Sequence, residues 1–524
     1  MAHQPTSTAQ RLHRRALAIA VAGALGFTGV VATGAAAAGE SVGSAAGVPL
    51  TDGSMYNLVD QIGARALWEQ GITGRGVNVA VIDTGIAPVP ALSGADKVVE
   101  MVDLSLEGGV PEAEFRDTYG HGTHMAGIIA GRDPGANPAT ARSRPDWFMG
   151  VAPDAGLVSV KVGDNTGAVD VSQVIAGVDW VIENKAALNI KVLNLSYGSG
   201  STLDYRSDPL SFAVERAWKA GITVVVAAGN DGRNEFKLGM PAQNPHVIAV
   251  AGAELASGKW RVPSWATSGD GTRNPDLAAP GTSIVSLRAP GSRVDQEHPE
   301  GYVSEYLFKG TGSSQSAAVV SGAAALLLSA RPGLTPDQVK ALLSGSADGS
   351  AITPKDVRKS GKGLLRVGVA NATTAPATVQ TWPAADGMGS LDAARGPIHI
   401  VVNGQVLDGE VTAQGAPWNG SRWTGSRWTG SRWTGSRWTD GTWMGSRWTG
   451  SRWTGSRWTG SRWTGTAWLG SRWTGAEWTS TSWNGSRWTG SRWTDASWTS
   501  VEWDGSRWTG SRWTGSRWTG AGWN

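Results

Sequence analysis

Three apolar runs, each ending on a short island that contains glycine, constrain the fold of this chain more than any other feature. Residues 76–86 read G-V-N-V-A-V-I-D-T-G-I, residues 190–198 read I-K-V-L-N-L-S-Y-G, and residues 222–232 read I-T-V-V-V-A-A-G-N-D-G. Runs this short and this continuously apolar predict strands buried on both faces. Each would deliver a polar residue at its C-terminal edge, Asp83, Ser196 and Asn230 respectively. Further strands are predicted at Leu157 to Val162 and Val247 to Gly252, and a helix at Ser172 to Asn184, where Val171, Ile175, Val178 and Ile182 share a face. Alternation of strands and helices predicts an α/β fold, a parallel sheet flanked by helices. Open sheets of this kind hold their ligands beyond the C-terminal ends of the strands.

Two further islands precede helical stretches. Residues 119–127 read Y-G-H-G-T-H-M-A-G, which puts His121 near a helix start behind a glycine that permits close approach. Gly312-Ser313-Ser314-Gln315 leads into an alanine-rich run, so the Ser314 hydroxyl would lie near a helix N-terminus, where free N–H groups favour negative charge. A serine nucleophile, a histidine base and a carboxylate that holds the base in one tautomer are the parts peptide hydrolysis needs. Ser314, His121 and Asp83 can fill those roles. His121 and His124 could instead suggest a metal pair, but no third ligand cluster accompanies them, and His124 reads as structural.

The order Asp, His, Ser and the residues around each member resemble the subtilisin-like serine peptidases. The resemblance implies Asp83, His121 and Ser314 as the triad, and Asn230 as the donor to the oxyanion. Counting back from Gly322, which matches the glycine that ends the family's serine motif, selects Ser314 over Ser313. The motif departs from the family pattern at Ser313, Gln315, Ser316, Ala318 and Val319. Ser196, Tyr197 and Gly198, with Ala228 and Gly229, would bind an extended substrate by strand addition. No cofactor is expected for catalysis. A structural calcium is an open question, because the insertion at residues 132–148, R-D-P-G-A-N-P-A-T-A-R-S-R-P-D-W-F, lies where relatives often hold a calcium loop and does not resemble one.

The peptidase body is expected over residues 55–371. It would close with a helix capped by Thr335 and started by Pro336, and then a final strand in G-K-G-L-L-R-V-G-V-A-N. Residues 1–38, with Arg11, Arg14 and Arg15 ahead of an apolar stretch and an Ala36-Ala37-Ala38 close, read as a signal peptide. Residues 39–54 form a short segment, too short for the folded propeptide many relatives carry. The chain has no cysteine, so thiol chemistry and disulfides are excluded. No later stretch is apolar enough to predict a membrane span. The expected location is outside a bacterial cell, secreted or associated with the wall.

From Trp418 to Trp523 a tryptophan falls at every fifth residue, 22 in all, fourteen of them in Ser-Arg-Trp units. This tail, residues 418–524, holds fourteen arginines against five acids, so the chain is electrically bipolar. A period of five matches neither a helix face nor a strand face and suggests an array. A four-sided pentapeptide solenoid would crowd four indoles into each layer. An exposed ladder suits a cell-wall polysaccharide or an anionic wall polymer, with indoles stacking on sugars and arginines meeting anions. Nucleic acid is not an expected partner of an exported chain, and a disordered low-complexity segment is the competing reading. Residues 372–417 read as a linker and a small β-hairpin unit around Asn403-Gly404.

The expected function is therefore an exported serine endopeptidase acting on protein or peptide substrates. A cell-surface binding or adhesion protein with an inactive protease-like body is the alternative, motivated by the altered serine motif and the dominant tail.

Overall fold

The computed structural model describes residues 50–232 and 234–418, and the backbone of short strands between residues 432 and 508. The expected signal peptide, most of the 39–54 segment and the tail's side chains beyond Trp418 lie outside the described residues.

The body is organised by β1 (Asn78–Asp83), β2 (Val98–Asp103), β3 (Gly156–Lys161), β4 (Ile190–Leu195), β5 (Thr223–Ala227), β6 (Ile248–Ala256), β7 (Lys259–Arg261) and β8 (Leu277–Pro280). They form one eight-stranded sheet in the order β2-β3-β1-β4-β5-β6-β7, with β8 also paired to β6. Every pairing is parallel except that of β6 with β7. The sheet is thus mixed where a parallel one was expected. Ser257 and Gly258, both at positive φ, make the tight turn between β6 and β7, and so short a connection can only return the chain antiparallel.

Helices cover both faces, which is why β3 and β5 are buried at every residue and β5 reads as a nearly continuous apolar run. Helix Val171–Asn184 packs beside helix Pro209–Lys219, and helix His121–Ala130 beside helix Ser313–Ala330. Helix Ser313–Ala330 is apolar enough to cross a membrane by length and composition. It is 89% buried within the body, however, and serves as its core helix. From β1 the chain runs to β2 and β3 on one side, then crosses to β4 on the other. That reversal opens a crevice beyond the C-terminal ends of β1 and β4.

Thr335 caps helix Pro336–Gly345 by accepting from the Gln338 N–H at 3.2 Å, while Gln338 Oε1 accepts from the Thr335 N–H at 3.0 Å. The final strand expected after it does not form. Leu364 makes only isolated bridges, to Ala278 and Asp348, and Val367–Ala372 is helical. The apolar side chains of Leu364, Leu365 and Val367 are buried all the same, so their hydrophobicity reports burial and not strand pairing. Within the 132–148 insertion Pro138–Ser143 is a 3-10 helix, and Asp133 accepts from the Phe148 N–H at 2.8 Å.

Beyond the body, helix Leu391–Arg395 leads to a hairpin that pairs Val401 with Val406, turned by Asn403 and Gly404 at positive φ. In the tail, short strands pair in parallel, mostly at a spacing of fifteen residues: Trp433 with Trp448 and Trp448 with Trp463, Trp438 with Trp453 and Trp453 with Trp468, Trp443 with Trp458 and Trp458 with Trp473. Three pentads separate most of these pairs, and four separate Arg487 from Arg507.

Candidate active site

Asp83 is the last residue of β1, and His121 is the first of its helix. His121 Nδ1 stands 2.8 and 3.0 Å from the two Asp83 carboxylate oxygens. A carboxylate only accepts, so Nδ1 carries the proton and donates, leaving Nε2 as the basic nitrogen. Both side chains are buried, and Nε2 has no hydrogen-bond partner among the described residues. Burial lowers the His121 pKa, but the Asp83 charge, the Asp83 hydrogen bond and the Asp117 charge outweigh it and raise the pKa above the usual 6.5.

Two glycines make this approach possible. Gly120, at φ 109°, is the left-handed N-cap from which the helix departs. Gly122 lies so close to the turn after β1 that an added Cβ would stand 2.1 Å from the Gly85 carbonyl oxygen.

Sequence reasoning missed Asp117, which binds these two segments together. One of its oxygens accepts from Thr84 Oγ1 at 2.8 Å and the Gly120 N–H at 2.6 Å. The other accepts from the Thr123 N–H at 2.7 Å and Thr123 Oγ1 at 2.6 Å. Thr84 Oγ1 in turn accepts from the Gly122 N–H at 2.9 Å. The carboxylate therefore clamps the residue after Asp83 to both neighbours of His121. Burial raises the Asp117 pKa despite the opposing effect of these four donors. Its position four residues before His121 was the only available signal.

Ser314 is the second residue of helix Ser313–Ala330, within the first turn, where backbone N–H groups lack intrahelical partners. The Ser313 N–H donates to Asn230 Oδ1 at 2.8 Å, and Ser313 Oγ donates to the same oxygen at 2.9 Å. A backbone N–H can face only an acceptor, so this contact assigns the Asn230 amide and turns its NH2 group away. That NH2 lies 3.2 Å from where a Cβ on Gly312 would stand. Ser313 Oγ also accepts from the Gly229 N–H at 3.2 Å, which commits the rival hydroxyl to holding the loop after β5.

Ser196, Tyr197 and Gly198 follow β4, and Ser196 Oγ donates to the Ser314 carbonyl at 3.2 Å. Ala228 is buried, and Gly229 adopts φ 123°. Ser199 exchanges both backbone hydrogen bonds with Met240, at 2.8 and 2.9 Å. Backbone groups alternate in direction along an extended chain, so those of Gly198 point to the other side. Burial, with Asp170 and Asp208 nearby, pushes the Tyr197 phenol up, and it stays neutral.

Among the described residues no group of three or more His, Asp or Glu side chains could hold a metal ion. His124 Nε2 meets the Phe308 carbonyl at 3.2 Å, so Nε2 carries the proton and donates. Burial and the neighbouring His121 lower its pKa to about 4, which keeps it neutral.

The model of the subtilase family matches residues 74–389. The chain is 37% identical over 292 residues to the serine protease AprX of Bacillus subtilis strain 168, covering 53% of this chain and 63% of AprX. It is 31% identical over 289 residues to the minor extracellular protease Epr of the same organism, covering 54% of this chain and 37% of Epr. Against subtilisin of Bacillus pumilus it is 35% identical over 320 residues, covering 59% of this chain and 96% of that protein. The chain thus spans less than two thirds of AprX and of Epr, and nearly all of the pumilus subtilisin. With the family model matching well over half its length, this chain belongs to the subtilase family.

Proposed function

We propose that the chain is an exported serine endopeptidase in which Ser314 attacks, His121 moves the proton, Asp83 orients His121 and Asn230 stabilises the oxyanion. The observation that carries this reading is His121 Nδ1 held by both Asp83 oxygens at 2.8 and 3.0 Å, with Nε2 left as a base.

Ser314 Oγ bonds to the carbonyl carbon of the scissile peptide as its proton passes to His121 Nε2. The carbonyl oxygen takes up negative charge, which the Asn230 NH2 group meets as a donor. His121 returns the proton to the leaving nitrogen as the carbon–nitrogen bond breaks, leaving an acyl group on Ser314. Water then repeats the sequence to release the acid. The substrate lies extended along residues 196–198 and pairs with the backbone of Gly198.

The name of Epr, an extracellular protease, and the apolar N-terminal stretch support export. In the tail, strand pairing puts Arg432, Arg447, Arg462 and Glu477 at one register position and Thr442, Arg457, Arg472, Arg487 and Arg507 at another. Neighbouring strands stand about 4.8 Å apart. Arginines repeated at one register position suit an anionic wall polymer, and we assign the tail the role of tether.

The test is labelling by a serine-directed phosphonate. Wild type and Ser313→Ala should take the label, and Ser314→Ala should not; a folded wild type without label overturns the reading. For the tether, Ser314→Ala protein should pellet with purified bacterial walls in a salt-sensitive, tail-dependent way. Equal pelleting without residues 419–524 would overturn the tail as tether.

A further inference from the structure

The family match ends at residue 389, yet the chain continues and folds back onto the same body. Residues 390–418 form an appendage centred on Arg395. Arg395 Nε donates to Asp170 Oδ2 at 2.6 Å, with both side chains only 1% exposed. The guanidinium also donates to Asp392 at 3.2 Å, to the Gly409 carbonyl at 2.6 Å and to the Val411 carbonyl. Asp170 is the N-cap of helix Val171–Asn184, and the next residue but one, Ser172, accepts from the Ala413 N–H at 3.0 Å. Leu391, Ala394 and Trp418 join the main core. A buried charge pair with its remaining donors satisfied holds this segment in one place.

That place is the end of the segment proposed to pair with substrate. The Thr202 N–H donates to the Ala393 carbonyl at 3.3 Å. Gly396 lies so near Gly200 that an added Cβ would stand 2.3 Å from the Gly200 carbonyl oxygen, and a Cβ added to Gly200 would stand 2.9 Å from Pro397 Cδ. A strand paired along this edge from Ser196, beside Ser314, meets the appendage at Gly200, four residues on. An extended peptide covers that span in four residues, about 13 Å. Pro397 and Ile398, both exposed, are the appendage side chains that follow Gly396 at this point.

We propose that residues 390–398 form the far wall of the substrate cleft, where Ile398 contacts an apolar side chain about four residues N-terminal to the scissile bond. This inference rests on the peptidase reading with Ser314 as nucleophile. The wall lies wholly beyond the residues that the family model matches.

The test uses the full chain and a tetrapeptide phosphonate with a photoreactive phenylalanine analogue at its first residue, four positions from the phosphorus. After labelling and irradiation, peptide mapping should find the phosphonate on Ser314 and the photoadduct within residues 390–398. Label on Ser314 with photoadducts only elsewhere overturns the wall. No label on Ser314 overturns the peptidase reading itself and the wall with it, so the two failures are distinct. A second measurement uses Ile398→Asp, an exposed position whose change leaves the core intact. It should lower, about ten-fold, the ratio of kcat/KM for a peptide with an apolar fourth residue to that for a single-residue ester. Equal effects on both substrates, or none on either, overturn the wall.

Discussion

Ser313 Oγ donates to Asn230 Oδ1 at 2.9 Å and accepts from the Gly229 N–H at 3.2 Å, so the hydroxyl beside the proposed nucleophile holds the proposed oxyanion donor. Ser313→Ala keeps the backbone contact to Asn230 and loses the hydroxyl one. It should retain phosphonate labelling and lower kcat by about ten-fold, less than the 10²–10³ that loss of the oxyanion asparagine is known to cost in subtilisin. Asn230→Ala should show that larger loss with KM little changed. Steady-state kinetics on one peptide checks both, and a Ser313→Ala enzyme without activity or label would reassign the nucleophile.

Asp117→Asn is expected to be costly despite its similar shape. Each Asp117 oxygen faces one backbone N–H, Gly120 or Thr123, so whichever end the new NH2 takes, two donors meet. A buried N–H left unpaired costs about 1–3 kcal/mol. Urea unfolding should lose about that much stability, and kcat should fall because the His121 helix start is no longer clamped to Thr84. An unchanged unfolding midpoint would show the clamp to be dispensable.

The acidic limb of the kcat/KM profile follows from His121. Its pKa is raised, so the imidazole takes up a proton at a pH above the usual 6.5 as the solution is acidified. The base works neutral, so activity falls as pH drops through that value. Asp117 contributes to the rise, and Asp117→Asn should therefore move the limb to lower pH. Asp83→Asn should lower kcat by about 10⁴ through the wrong tautomer. A wild-type limb centred near pH 5 would contradict the arrangement.

Arg395→Ala leaves Asp170 buried without its partner. Breaking such a pair costs about 3–5 kcal/mol. Unfolding of the Ser314→Ala background, which removes self-digestion, should register that loss. A change below about 1 kcal/mol would mean that water replaces the guanidinium, as it does for an exposed pair.

Much of the architecture was legible because burial leaves a local signature. The runs ending at Asp83, Ser196 and Asn230 are predominantly apolar because the strands that carry them are covered on both faces. Thr335 and Pro336 announced a helix start through capping chemistry that needs only neighbouring residues. The same reasoning failed at Leu364 to Val367, where buried apolar residues belong to isolated bridges and a short helix. It also failed at β7, whose antiparallel turn depends on positive φ at Ser257 as well as Gly258.

Local pattern thus pointed to the residues proposed to carry the chemistry and determined which strands present them, because hydrophobic period and helix caps act over a few residues. Only the tertiary structure decided what each polar group faces. The Asp83–His121 contact spans 38 residues, Ser313 meets Asn230 across 83, and Arg395 reaches Asp170 across 225. A hydrogen bond exists only within about 3 Å and in one orientation, and no composition or period encodes that.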